Sequence, residues 1–312
     1  ELKEALEFLR RSPRQAHLVE RLSRSPEHRW RLRQLSPERI AQRKAEAARI
    51  SRAVSHMVGD FLRGLVSSKL VSSRPTADEP IADEPIEVGP NLRIEPSAEV
   101  VTSLDEQVIG EIEAWLQNSD TLCSNCAPNA LAPMLEMVGR PVSRETLTTQ
   151  AFLVDYLSGN LQLAVHSPQS TVHGPPFSDV YRQSTIDNRQ SLQGPLSISM
   201  DTVVRLAAAY GLALNPVELT YDELLLLRHP WIAALDLTQD GEADHYVVVK
   251  DANEARVVYL ESDGTRDSLP THAFLGLFTR FALVPSAESY GRLLTPAQAA
   301  AIHGAGPGDF FT

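Results

Sequence analysis

Apolar residues recur with a helical period in the first half of this chain and with a strand period in the second, and few folds accept that order. Asp105–Asn118 places Val108, Ile109, Ile112, Trp115 and Leu116 on one helical stripe, and Cys126–Val138 does the same with Ala130, Leu131, Met134, Leu135 and Val138. Met200–Gly211 reads as a third helix, ended by Gly211. Strand-like runs then follow at Trp231–Leu237, His245–Lys250, Arg256–Leu260 and Phe281–Val284. Helices first and antiparallel strands after them predict an α+β domain.

A second element precedes that domain. Residues 1–71 read as helix throughout, because Ser12-Pro13, Ser25-Pro26 and Ser36-Pro37 each set a capping hydroxyl before a proline at the first helical position. Three short helices are expected, then a longer one from Pro37 to about Leu70, with Ile40, Ala47, Ile50, Val54, Val58 and Leu62 at helical spacing. The near-repeat ADEPIADEPIE falls in residues 72–90, where frequent prolines favour an extended linker. The second domain is expected over 91–286, with a separate segment at 287–312.

Charge divides the chain at the same place. Residues 1–71 carry 16 Lys+Arg against 8 Asp+Glu, while the whole chain stands at −11, so the remainder is strongly acidic. A basic arm on an acidic body is expected to dock in cis or on a protein partner. No aromatic interleaving points to nucleic acid. No apolar run reaches the roughly 20 residues that span a bilayer. Two cysteines cannot build a disulfide framework, which fits a reducing, cytoplasmic setting. The chain opens on Glu1 with no secretory signal, as a piece of a longer protein would.

The sharpest chemical feature is LCSNCAPNALAPMLEMVGR, residues 122–140. Cys126 falls in the first turn of an apolar helix, where unpaired N–H groups and the helix dipole favour a thiolate. Downstream, His245 opens a strand after a polar turn, and the next strand ends at Glu261-Ser262-Asp263. A hairpin of that size brings an acid beside the imidazole, either Glu261 or Asp263, to hold its orientation. Residues 158–198 are long, polar and rich in Pro, Gly, Ser and Gln, as a flap or insert would be. His166 and His173 lie there without a third ligand nearby, so no metal site is expected.

These residues resemble the papain-like bacterial peptidases that remove double-glycine leaders from bacteriocins. NCAPNALAPMLEMVG is similar to that family's nucleophile helix, and Pro230 through Gly264 to its block of apolar strands with a His and an acid. The likeness covers roughly residues 105–286. It implies a papain-like fold, Cys126 as nucleophile, His245 as base, Glu261 as orienting acid, no metal or other cofactor, and cleavage after Gly-Gly or Gly-Ala. The pattern departs in three places. Ala127 stands where the family has Gly, and Glu261-Ser262 where it has Asp-Pro. Asp120 stands where it has the oxyanion Gln, which leaves Gln117 and Asn118 as candidate donors.

The last segment, RLLTPAQAAAIHGAGPGDFFT, is similar to the leader such peptidases recognise. Leu294 and Ile302 match its apolar anchors, Gly304-Ala305 its cleavage pair, and Gln298 replaces its usual Glu. That makes the tail a candidate cis substrate, cut after Ala305, alongside the plainer reading of an Ala-rich helix capped by Gly304. Two other functions stay open for the chain. One is a catalytically weak domain that binds leader-like helices. The other is a thiol–disulfide oxidoreductase using the C-x-x-C of Cys123 and Cys126.

Overall fold

The computed structural model describes residues 37–72, 85–118, 126–161, 196–228, 230–237, 241, 243, 245–262, 264–286 and 288–304. The three short helices expected before Pro37, Asp120, Cys123, nearly all of the 158–198 insert, Asp263 and Ala305 lie outside those residues.

Helix α1 (Pro37–Ser72) leads into a hairpin of β1 (Ile86–Gly89) and β2 (Leu92–Ile94), so part of the Pro-rich stretch is strand. Helices α2 (Ala98–Ser103), α3 (Glu106–Gln117), α4 (Cys126–Met137) and α5 (Arg144–Leu157) follow. A two-residue strand β3 (Ile198–Ser199) runs straight into α6 (Met200–Ala209). The rest is β4 (Leu214–Glu218), α7 (Tyr221–Leu224), β5 (Trp231–Leu235), β6 (His245–Ala252), β7 (Arg256–Leu260), β8 (Arg266–Pro270), α8 (Thr271–Leu275) and β9 (Phe278–Pro285). The chain then adds β10 (Arg292–Leu293), α9 (Pro296–Ala300) and β11 (His303–Gly304).

Seven strands form one antiparallel sheet in the order β10-β4-β9-β5-β6-β7-β8. Its central strands β5 and β6 are continuous apolar runs because both faces are covered. On one face Ile232, Ala234, Tyr246 and Val248 pack with the helices; on the other Trp231, Ala233, Val247 and Val249 meet Phe274 and Leu224. The α+β expectation agrees with this architecture.

The arm docks in cis. Ile50, Val54, Val58 and Leu62, the stripe legible in the sequence, are buried in the same core as α3 and α5. Ser55 Oγ donates to the Glu113 carbonyl at 3.0 Å, and Arg63 pairs with Glu113 at 2.5 Å. Gly59 permits the close approach, since a Cβ there would overlap the Glu113 carboxylate.

The tail is packed as well. Residues 287–312 were expected as a separate segment, yet Leu294 and Ala299 are buried in the core of the second domain, and α9 lies on α6. The physical reason is that β4 and β3 each leave an edge, and β10 and β11 fill them.

Candidate active site

Cys126 is the first residue of α4, with its side chain buried and the residue only 4% exposed. Helix α4 packs across β6, so its N-terminal end meets the start of that strand, where His245 lies 3% exposed. Strand β7 runs antiparallel beside β6 with Val248 opposite Leu260, which sets Glu261 diagonally across from His245 on one face. A tight turn fixes the acid: Glu261 N–H donates to the Thr265 carbonyl, and Gly264 N–H to the Glu261 carbonyl, both at 2.8 Å. Gly264 sits at φ +85, a conformation that suits glycine.

Glu261 Oε2 lies 2.9 Å from His245 Nε2, with both side chains buried. The thiol of Cys126 bonds to the same ring, and with Nε2 taken, Nδ1 is the nitrogen left to face it. Burial alone would pull the imidazole down. The hydrogen bonds and negative charges of Cys126 and Glu261 outweigh it and push His245 up to about 10. The three groups therefore form a sulfur at a helix start, a ring that holds a proton, and an acid that anchors the ring.

The candidate oxyanion donors are placed differently. Gln117 points to the arm, donating Nε2–H to Ser55 Oγ at 3.3 Å, and Asn118 caps α3 through its own N–H to the Trp115 carbonyl. Asp263, the alternative acid, falls outside the described residues, so the acid observed on His245 is Glu261. Among the described residues no group of three metal-binding side chains assembles, and no helix is long and apolar enough to cross a membrane.

A second polar cluster lies behind α4, and the sequence did not single it out. Asp155 on α5 accepts from Ser199 N–H and Ser199 Oγ, both at 3.1 Å, and from Thr202 Oγ1 at 2.5 Å. It thereby holds β3 and the first turn of α6. Burial raises the Asp155 carboxyl despite these bonds. The buried Tyr246 hydroxyl has no hydrogen-bond partner among the described residues. Burial raises it far above its ordinary value, and the charges of Cys126 and Asp155 add to that.

The candidate substrate segment reaches this cluster. His303 pairs with Ser199 and Gly304 with Ile198, while Met200 N–H donates to the Ile302 carbonyl at 2.8 Å. His303 feels Asp155, although burial lowers its basicity overall. Strand β3 in turn touches α4, the helix that begins at Cys126. Leu294 and Ile302 both pack into the core, and so does Ala299, an anchor the sequence reading passed over. Its small side chain gives little hydrophobic signal, and only the repeat Leu294, Ala299, Ile302 on one face would have revealed it.

Residues 189–289 match the Peptidase C39 family. That span includes His245 and Glu261 and begins after Cys126. No curated protein matches the chain. Among solved structures it aligns with the crystal structure of a double glycine motif protease from an AMS/PCAT transporter in complex with the leader peptide. The two are 15% identical over 52% of this chain and 84% of that one, with a TM-score of 0.33.

Proposed function

We propose that this chain, which carries a C39-family peptidase domain, is a papain-like cysteine peptidase that cuts after Gly-Gly or Gly-Ala pairs and processes its own polypeptide after Ala305. The observation that carries the reading is a single imidazole, His245, held between a buried thiol at a helix N-terminus and a buried carboxylate.

The chemistry follows from that placement. His245 holds the proton that leaves Cys126, and the thiolate attacks the carbonyl carbon of the bond to be cut. The oxyanion meets the N–H groups at the start of α4, which no helical carbonyl uses. The imidazolium then protonates the departing amine. A water, giving its proton to His245, hydrolyses the thioester and restores the thiol. Glu261 stays ionised throughout and keeps the ring aligned.

Specificity for small residues follows from the backbone pairing. The segment pairs with β3 at position 304, where a glycine leaves the backbone free to approach a narrow cleft. The peptide substrate in this reading is first of all the chain's own segment 292–305. The helix at 37–72 serves as a docked arm rather than as a second catalytic unit.

Intact-mass measurement under reducing conditions tests it. The wild type should lose residues 306–312 while Cys126→Ala retains them, and equal masses would remove the self-processing claim. A catalytically weak leader-binding domain is the second reading, favoured by the commitment of the Gln117 amide to Ser55. Turnover of any Gly-Ala peptide that is lost in Cys126→Ala separates the two. The oxidoreductase reading has little to stand on, since among the described residues every strand pairing is antiparallel and no βαβ unit forms.

A further inference from the structure

A buried carboxylate that takes no part in the chemistry lies on a helix packed against the nucleophile helix. Asp155 is fully buried on α5, and its two oxygens take three donors from one junction of the chain. Oδ2 accepts from Ser199 N–H at 3.1 Å. Oδ1 accepts from the Ser199 hydroxyl at 3.1 Å and the Thr202 hydroxyl at 2.5 Å.

Capping does not account for the acid. Ser199 Oγ already caps α6 by accepting Thr202 N–H at 3.2 Å, so the helix start is served without Asp155. Packing does not account for it either, since burying a carboxylate costs solvation that an apolar residue of similar size would not. Burial does raise this carboxyl. What the three bonds supply is a fixed relation between α5 and the β3–α6 junction.

That junction adjoins the catalytic pair. Strand β3, helix α6 and helix α5 all pack on α4, the helix that begins at Cys126. The edge of β3 is paired with β11, and Met200 N–H is held by the Ile302 carbonyl, so the junction is secured from the tail side as well. Tyr246, the residue after His245, is buried in the same core as Ile198 and Met200, and the charges of both Cys126 and Asp155 act on its hydroxyl.

We propose that Asp155 is a positioning residue for the peptidase: by clamping β3 and the first turn of α6 onto α5, it fixes the seat of α4 and so the approach of Cys126 to His245. The role rests on the peptidase reading above. No proton leaves Asp155 and no substrate touches it. Its effect reaches the reaction through the one helix whose first residue is the nucleophile. A displacement of about 1 Å between reacting groups costs on the order of a hundredfold in rate.

The experiment uses the full chain with Thr202→Val and with Asp155→Asn, which keep the side-chain shapes and remove one hydroxyl or the charge. Leu62→Ala, in the arm, is the control for lost stability alone. Two readouts are taken on each protein: kcat and KM for a fluorogenic peptide copying residues 291–309, and the pH dependence of iodoacetamide alkylation at Cys126. Both clamp variants should lose about tenfold or more in kcat, with KM within about twofold. Their alkylation should set in about one pH unit or more above that of the wild type, as a thiol drawn away from the His245 imidazolium returns toward its ordinary value of about 8.5. Leu62→Ala should move neither readout once its folded fraction is accounted for, and Thr202→Val carries the test should Asp155→Asn fail to fold. Wild-type kcat and an unchanged alkylation profile in folded Thr202→Val would overturn the positioning role and leave the peptidase assignment intact, as would losses that Leu62→Ala reproduces. A wild type that leaves the peptide uncut and alkylates as an ordinary thiol would remove the peptidase reading and this role together.

Discussion

His245 Nε2 and Glu261 Oε2 lie 2.9 Å apart at the buried ends of two neighbouring strands, although 16 positions separate them in the chain. The turn at Gly264 supplies the geometry: it returns the chain just after β7 and points the carboxylate back along the sheet. Substituting Glu261→Gln keeps the shape and removes the charge. It should lower kcat by less than His245→Ala does, because the acid only orients and stabilises while the ring moves protons. A greater loss from Asp263→Asn than from Glu261→Gln would assign the acid to Asp263 instead.

The two cysteines separate the hydrolytic and redox readings. Cys126 begins α4 and bonds to His245. Cys126→Ala should abolish both peptide cleavage and labelling by a thiol-directed peptidase inhibitor, whereas Cys123→Ala should leave both within about twofold, as a neighbour without a chemical role does. Labelling that depends on Cys123 instead would favour the disulfide chemistry.

Protonation of His245 ties stability to pH. Its folded value of about 10 lies above the ordinary 6.5, so the native state binds this proton more tightly than the unfolded chain. The stabilisation is complete below pH 6.5, shrinks above it, and is lost as the pH rises through about 10. Urea midpoints measured across that window should fall more for the wild type than for His245→Gln. Parallel curves for the two proteins would contradict the raised value.

Much of this was legible because the signals were local. The helices at Cys126 and Met200 have one apolar stripe each, and β5, β6 and β7 are short apolar runs bounded by polar turns. Helix α5 was missed for the opposite reason. Leu147, Thr149, Gln150, Phe152, Val154 and Asp155 are buried around its whole circumference, so no polar stripe marks it, and only the Ser143 cap announces its start. Strands β3 and β11 are two residues each and exist only through their pairing across the chain. Strand β4 contains Pro216, which argues against a central strand in sequence, yet Pro216 needs only its carbonyl to receive Leu294.

The arm illustrates the same divide between pattern and partner. Its stripe was visible, but its burial against α3 and α5 is a tertiary fact. Leu62 is fully buried, so Leu62→Ala should destabilise the folded chain by about 2–5 kcal/mol. Chemical denaturation followed at the Trp115 and Trp231 environments should show one shared shift. A transition confined to the arm, with the sheet unaffected, would mean that α1 unfolds independently.

Self-processing makes the most specific demand on sequence. Ile302 packs at the edge of the core and Gly304 pairs with Ile198, one residue before the bond at issue. Ile302→Ala removes buried surface next to the cleaved bond while leaving Leu294 and Ala299 seated, so it should slow the cut rather than abolish it. The loss of about 1–3 kcal/mol of anchoring corresponds to roughly a tenfold to hundredfold slower rate. Gly304→Val adds a branched side chain where the backbone meets β3, and should block the cut with the fold preserved. Intact mass over a time course reads both variants, with Cys126→Ala as the uncut reference. Cleavage of Gly304→Val at the wild-type rate would mean that the bond after Ala305 is not the one presented to Cys126.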